Sequence, residues 1–225
     1  MIPWELLDKA VVPGGGGELR LYRRGEEFSI RADGQELMNS RSHDSEEQLA
    51  ELVSGKLGGR KSPRVLIGGL GMGYTLATAL RELDGGARLD VAELVPAVVK
   101  WNRGPLAALA GKPLADRRVT VFEQDVARLL RKEKDAFDAI ILDVDNGPAG
   151  LTRQENNWLY VRAGLQAIRG ALKPRGIFAL WSAAPDKTFA RRLHQNDFEV
   201  EELFIRGRRG FKGGHHVVWL AIRPS

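Results

Sequence analysis

The sequence predicts an α/β fold: a doubly wound, seven-stranded sheet, mostly parallel with the last strand antiparallel, preceded by a small N-terminal β-hairpin extension. Three observations predict it. From Arg64 onward, short apolar runs alternate with amphipathic ones, as β and α segments do when taken in turn. The apolar runs are nearly continuous, as strands buried on both faces must be. The last two apolar runs have no helical segment between them, which makes the final strand antiparallel. The chain then divides into an extension with a linking helix over 1–60 and a main domain over 61–225.

The elements follow in order. VVPGGGGELR (11–20) holds four glycines in a row and predicts a turn. ELRLYRRG (18–25) and EFSIRADGQELMN (27–39) alternate partly between apolar and polar residues, with Asp33-Gly34 as the hairpin signal. SHDSEEQLAELVSGKLGG (42–59) opens on a Ser/Asp cap, carries glutamates in its first turn and ends in glycine, so it predicts a helix.

In the main domain, RVLIGG (64–69) is an apolar strand running into glycines, and YTLATALREL (74–83) is a helix stopped by Asp84-Gly85-Gly86. RLDVAEL (88–94) is a strand reaching Glu93, and PAVVKWNR (96–103) is a helix with proline in its first turn. RVTVFEQD (118–125) and VARLLRKEK (126–134) are the third strand and helix, and AFDAIILD (136–143) is the fourth strand. RQENNWLYVRAGLQAIRGAL (153–172) predicts the longest helix, followed by strand GIFALWSA (176–183) and helix KTFARRLHQN (187–196). FEVEELFIR (198–206) and HHVVWLAIR (215–223) close the chain as two strands around a basic, glycine-rich loop.

Composition narrows the function. At 225 residues with 43% apolar content, the chain can bury a substantial core. It has no apolar run of about 18 residues and no apolar signal core, which predicts a cytoplasmic protein with no membrane span. Without cysteine there is no disulfide or thiol catalysis, and the four histidines show no ligand spacing, so no metal is expected. A net charge of +5 and a pI near 9.6 point mildly to an anionic partner.

The candidate site begins at VLIGGLGMGYTL (65–76). Gly69, Gly71 and Gly73 allow a tight turn and a close ligand approach, ahead of a helix N-terminus offering N–H groups. Tyr74 stands where the dinucleotide fingerprint has its third glycine, which speaks against a nicotinamide or flavin cofactor. By itself the loop is equally a tight strand–helix turn. Glu93 ends the next strand about 20 residues on, where a carboxylate receives ribose hydroxyls. Asp125 ends the third strand and either receives an adenine amino group or caps the next helix; alone, it reads as the cap. Asp143 ends the fourth strand. Three acids at strand C-termini beside a glycine loop make a nucleoside site.

On these residues the segment Arg64–Asp143 resembles the class I S-adenosylmethionine-dependent methyltransferase fold, a Rossmann-like sheet. More narrowly, the chain resembles the spermidine synthase (polyamine aminopropyltransferase)-like family. RVLIGGLGMGYTL matches its glycine loop in length, VAELVPAVV its ribose-binding strand end, FEQDVARLL its adenine-side acid and FDAIILDVD its catalytic strand end. ADGQELMNSRSHDSEEQLAEL resembles its substrate-side extension. The resemblance implies a transferase using S-adenosylmethionine or its decarboxylated form as co-substrate, a small-molecule amine acceptor and a homodimer. It makes Gly69, Gly71, Met72, Gly73, Glu93 and Asp125 the cofactor-binding set and Asp143 the catalytic acid. Asp145, Asn146 and Trp181 fall on the substrate side. Two departures stand out. Met72 replaces the family's donor-holding Asp, and DVDNGP replaces its DSSDP-type strand end, so that the second, amine-holding acid has no counterpart in register.

The chemistry such a site performs is alignment of nucleophile, carbon and sulfonium, with a carboxylate accepting the proton of the nucleophile. Asp143 and Asp145, two residues apart on an extended strand, are expected on one side. Their bland alternative is a solvated strand end and turn. Trp101, Trp158 and Tyr160 read as core packing, His43 as part of a capping turn, and the loop 206–216 as a solvated basic loop. Three functions remain open: aminopropyl or methyl transfer to an amine, methylation of a small molecule or nucleic acid, and nucleoside binding without catalysis. Nucleic acid is the less favoured partner. Fold alone does not choose among them.

Overall fold

Where the sequence predicts a hairpin, the chain forms four strands. The computed structural model describes residues 2–15, 17–143, 157–182, 185–205 and 216–225. Strands β1 (Glu5–Val11), β2 (Glu18–Arg24), β3 (Glu27–Ala32) and β4 (Gln35–Asn39) pair antiparallel in chain order. The β3–β4 turn is Asp33-Gly34, both at positive φ (49° and 80°), as a two-residue hairpin turn requires. β1 is the strand missed in the sequence. It is an edge strand, Leu6 and Val11 are exposed, and no buried alternation marks it.

Helix α1 (Asp44–Leu57) follows. Its N-cap is His43, with no side-chain cap bond, and not the predicted Ser/Asp cap. Asp44, Glu46 and Glu47 instead meet the positive end of the helix dipole in the first turn. Gly58, in the left-handed region, ends the helix as its C-cap.

The main sheet takes its strands from β5 (Arg64–Gly68), β6 (Arg88–Glu93), β7 (Val119–Glu123), β8 (Phe137–Leu142), β9 (Leu172–Ser182), β10 (Glu199–Ile205) and β11 (His216–Ile222). Their order is β10-β11-β9-β8-β5-β6-β7. All neighbours are parallel except β11, which runs antiparallel to both β9 and β10, as predicted. The helices between them are α2 (Tyr74–Glu82), α3 (Pro96–Arg103), α4 (Val126–Lys132), α5 (Asn157–Tyr160), α6 (Arg162–Ala171) and α7 (Lys187–Gln195).

Successive strand residues feed opposite faces, and each face has its own core. Val65, Ile67, Ala139, Ile141, Ile177 and Ala179 pack with α1, α2, α3 and the inner side of the N-terminal sheet through Leu21 and Ile30. Leu66, Ile140, Leu142, Phe178, Leu180 and Trp219 pack with α4, α6 and α7. At the strand starts, Arg64 lies over the Phe137 ring and pairs with Asp90 and Glu133. Burial there opposes the ionised form of Asp138, but Lys173, the Arg64 N–H and Arg60 together hold its carboxyl below the usual range.

Two predicted boundaries change. The single helix expected over 153–172 is broken in its described part: Val161 is extended (φ −95°, ψ 169°) between α5 and α6. The chain folds back so tightly there that a Cβ on Gly164 would lie 2.1 Å from Trp158 O. The longest helix among the described residues is therefore α1, with 14 residues. β9 starts at Leu172, before Gly176: Leu172 pairs with Phe137, and the register then slips before Ile177 meets Ala139.

Candidate active site

The strand order places the crossover of the chain between β5 and β8, the position where parallel α/β sheets open a crevice at their C-terminal edge. Gly68 of β5 is level with Ala92 of β6 and Leu142 of β8, so the glycine loop, Glu93 and Asp143 arrive at one edge. Asp143 is tied to it by its N–H, which donates to Gly68 O at 3.0 Å.

The loop has the conformation its glycines predict. Gly69, Gly71 and Gly73 have φ of 90°, 54° and 86°, a region that side chains disfavour. Gly73 is the N-cap of α2, which has no side-chain cap. Asn102 Nδ2 donates to Gly71 O at 2.8 Å, and a Cβ on Gly73 would lie 3.1 Å from Asn102 Oδ1, so the loop is packed against α3. Glu93 clasps it from below. One carboxylate oxygen accepts the Leu70 N–H at 2.9 Å and the other accepts the Val95 N–H at 2.8 Å, in a nearly buried setting. Asp125 caps α4, its side chain accepting the Ala127 N–H at 2.8 Å.

Above the loop lies a cleft of about 310 Å³. Leu70, Gly71 and Met72 form one wall, Tyr74 and Thr75 of α2 continue it, and Asp143 and Trp181 come from the strand ends. The opposite elements are β4, through Glu36, Leu37 and Met38, and the start of α1, through Ser45 and Glu46. Met38 reaches the loop itself: its Sδ would be 3.2 Å from a Cβ on Gly71. Met72 is nearly buried and presents a thioether where the resemblance leads one to look for a carboxylate.

Asp143 accepts the Thr75 hydroxyl on Oδ2 at 2.8 Å. Burial pushes its carboxyl up to about 7, the nearby charge of Glu46 adds to the rise, and the Thr75 bond opposes it. Burial likewise raises Glu46, with Glu47 and Asp44 contributing and the Ser45 hydroxyl opposing. Tyr74 is pushed up to about 12 by burial and by the charges of Glu46 and Glu47. Its ring stacks on His43 at 4.0 Å, and its hydroxyl donates to Ser40 O at 3.3 Å.

Sequence reasoning identified Asp143, Trp181, Gly71 and Met72 as residues of this region, and all four line the cleft. Gly69, Gly73, Glu93 and Asp125 are outside its lining, the last two on neighbouring strand ends. Asp145, Asn146, the turn at Gly147-Pro148 and the basic loop 206–215 lie outside the described residues. Trp101 is core, with its Nε1 donating to Asp8 at 2.9 Å; Trp158 lies under Arg131, and Tyr160 packs edge-on against Phe189. Thr75, Met38, Glu36 and Glu46 were not singled out in the sequence. The last three lie in ADGQELMNSRSHDSEEQLAEL, the segment that resembles the family's substrate-side extension, but Glu46 was explained by its place in a helical first turn. His43, Asp44 and Glu47 bring ligand-type atoms within 4.8 Å of one another, but none of them lines the cleft.

The sequence matches the spermine/spermidine synthase domain over residues 46–196. Spermidine synthase from Thermotoga maritima superimposes with a TM-score of 0.75 at 20% identity, over 97% of this chain and 72% of that one. A spermidine synthase in complex with the transition-state analogue AdoDATO gives 0.74 at 20% identity, with the same coverage of 97% and 72%. A precorrin-6y C5,15-methyltransferase from Geobacter metallireducens gives 0.57 at 18% identity, over 79% of this chain and 87% of that one. At such identities the solved structures establish the fold. No curated protein matches the sequence.

Proposed function

This chain belongs to the spermine/spermidine synthase domain family, a family of transferases, and on that premise we propose that it transfers an aminopropyl group from decarboxylated S-adenosylmethionine to a small amine. The observation that carries the reading is the charge of the cleft. Among the described residues its wall holds three carboxylates, Glu36, Glu46 and Asp143, and no lysine, arginine or histidine. Such a wall attracts an ammonium and repels a carboxylate, which favours an amine acceptor and a donor that has lost its carboxyl group.

The residues divide the work. The glycine loop and the start of α2 offer the close backbone approach and N–H groups that a nucleoside needs, and Glu93, whose carboxylate holds the loop through the Leu70 N–H, is the residue we assign to its ribose. The donor supplies a carbon bound to a sulfonium, whose neutral leaving group needs no proton. Asp143 takes the proton that leaves the acceptor nitrogen as its bond to carbon forms. A carboxyl raised toward neutrality is well matched to that task, being basic enough to accept a proton and still ionised in part. The same field also stabilises the unreactive ammonium, so Asp143 helps only if the proton is lost as the nitrogen attacks.

One observation favours a second reading, methyl transfer from S-adenosylmethionine: Met72 at the loop has no charge to hold the amino group of a decarboxylated donor. Thermal stabilisation separates the two, because a ligand of the native state raises apparent stability by mass action. Decarboxylated S-adenosylmethionine stabilising the chain more than S-adenosylmethionine supports aminopropyl transfer; the reverse order supports methylation. Stabilisation by NAD alone removes both. For assembly, the exposed Leu6 and Val11 on edge strand β1 support a second copy as partner.

A further inference from the structure

The three cleft carboxylates are not equivalent. Glu36 is satisfied within its own sheet, accepting Ser29 Oγ at 2.6 Å and Asn39 Nδ2 at 2.7 Å, with Arg31 at 3.9 Å. Glu46 and Asp143 each accept one side-chain donor, the Ser45 hydroxyl at 2.6 Å and the Thr75 hydroxyl at 2.8 Å. Neither has an ion-pair partner among the described residues. They come from elements far apart in sequence, the first turn of α1 and the end of β8, yet both line the same cleft.

We infer that Glu46 is an ammonium-binding residue of the cleft, holding with Asp143 a single primary ammonium group of the donor or the acceptor. The inference rests on the amine-transfer reading above and supplies the amine-holding acid that the strand end after Asp143 does not present in register. Two half-buried carboxylates without a counter-ion repel each other, and a cation held by both offsets the cost for each. A primary ammonium has three N–H donors and no acceptor, which suits two carboxylates that each accept a single side-chain donor among the described residues. A neutral ligand of the same shape gains nothing from the pair. Roles then separate: Glu46 keeps the charge in place, while Asp143 moves the proton. The raised carboxyls of both residues accord with a pair awaiting its cation.

Calorimetric titration of the full chain tests this. The ligands are methylthioadenosine, decarboxylated S-adenosylmethionine, and 1,4-diaminobutane added after methylthioadenosine. The proteins are wild type, Glu46→Gln and Glu46→Asp. Glu46→Gln should raise the Kd of an ammonium-bearing ligand at least about tenfold, as expected for a lost charged hydrogen bond. Methylthioadenosine binding should be unchanged, which also shows that the variant is folded, and Glu46→Asp should recover part of the loss. Weaker diaminobutane alone assigns the group to the acceptor, and a weaker decarboxylated donor alone assigns it to the donor arm; either supports the inference. Buffers of different ionisation enthalpy should show protons released when amine binds wild type, and fewer released in Glu46→Gln. If wild type binds the amines and Glu46→Gln binds them equally well, or loses methylthioadenosine to the same degree, Glu46 has no such role. If wild type binds methylthioadenosine but neither amine ligand, the amine-transfer reading itself fails.

Discussion

The Thr75 hydroxyl donates to Asp143 Oδ2 at 2.8 Å, joining the second residue of helix α2 to the end of strand β8. Among the described residues, the bond holds the Asp143 carboxyl down against burial and the charge of Glu46. Thr75→Val should therefore move the acidic limb of the kcat/KM profile to higher pH. An unmoved limb would mean that Asp143 does not govern it.

Asp143→Asn removes the proton acceptor and keeps the shape of the site. Turnover should fall by about 10²–10⁴-fold, the usual worth of general-base catalysis. The methylthioadenosine Kd should stay within about twofold of wild type, since the loop and Glu93 are untouched. Full activity in this variant would sink the role given to Asp143.

Stability should depend on pH through the same carboxyl. Folded Asp143 titrates near 7 and unfolded Asp143 in the ordinary range near 4, so between these values the folded chain binds more protons. Its contribution is fully present below about pH 4 and is lost as pH rises through about 7, by on the order of a few kcal/mol. Glu46, also raised, acts in the same direction. Urea unfolding across this range should show Asp143→Asn losing less stability than wild type as pH rises.

Glu93→Ala leaves the Leu70 and Val95 N–H groups without their acceptor in a nearly buried position. Each such group costs about 1–3 kcal/mol, so the variant should lose roughly 2–6 kcal/mol in chemical denaturation and most of its nucleoside binding. Glu93→Gln keeps one acceptor oxygen and should fall between. A loss of binding with stability intact would assign Glu93 to the ligand alone, without a part in holding the loop.

Much of the fold was legible because strands buried on both faces leave a strong mark. RVLIG and FDAIIL could hardly be anything but interior strands, and the glycines after Gly68 marked a tight turn, which the structure makes at positive φ. β1 was illegible because an edge strand with exposed leucine and valine has no periodic burial. The break at Val161 was illegible because it follows from the close approach of Trp158 to Gly164, which no local propensity encodes.

The sequence by itself determined the alternation of strands and helices, the antiparallel last strand, the glycine loop and the placing of Glu93 and Asp143 at strand ends. These are local properties, set by residue periodicity and backbone preference within a few positions. Only the tertiary structure decided what Asp143 meets there. Packing α1 and β4 over the strand ends brings Glu46, Glu36 and Met38 into its cleft, and packing α2 against β8 supplies Thr75. Burial and a second charge then set the acidity of Asp143, and both are properties of the space around a residue, which spacing along the chain does not carry.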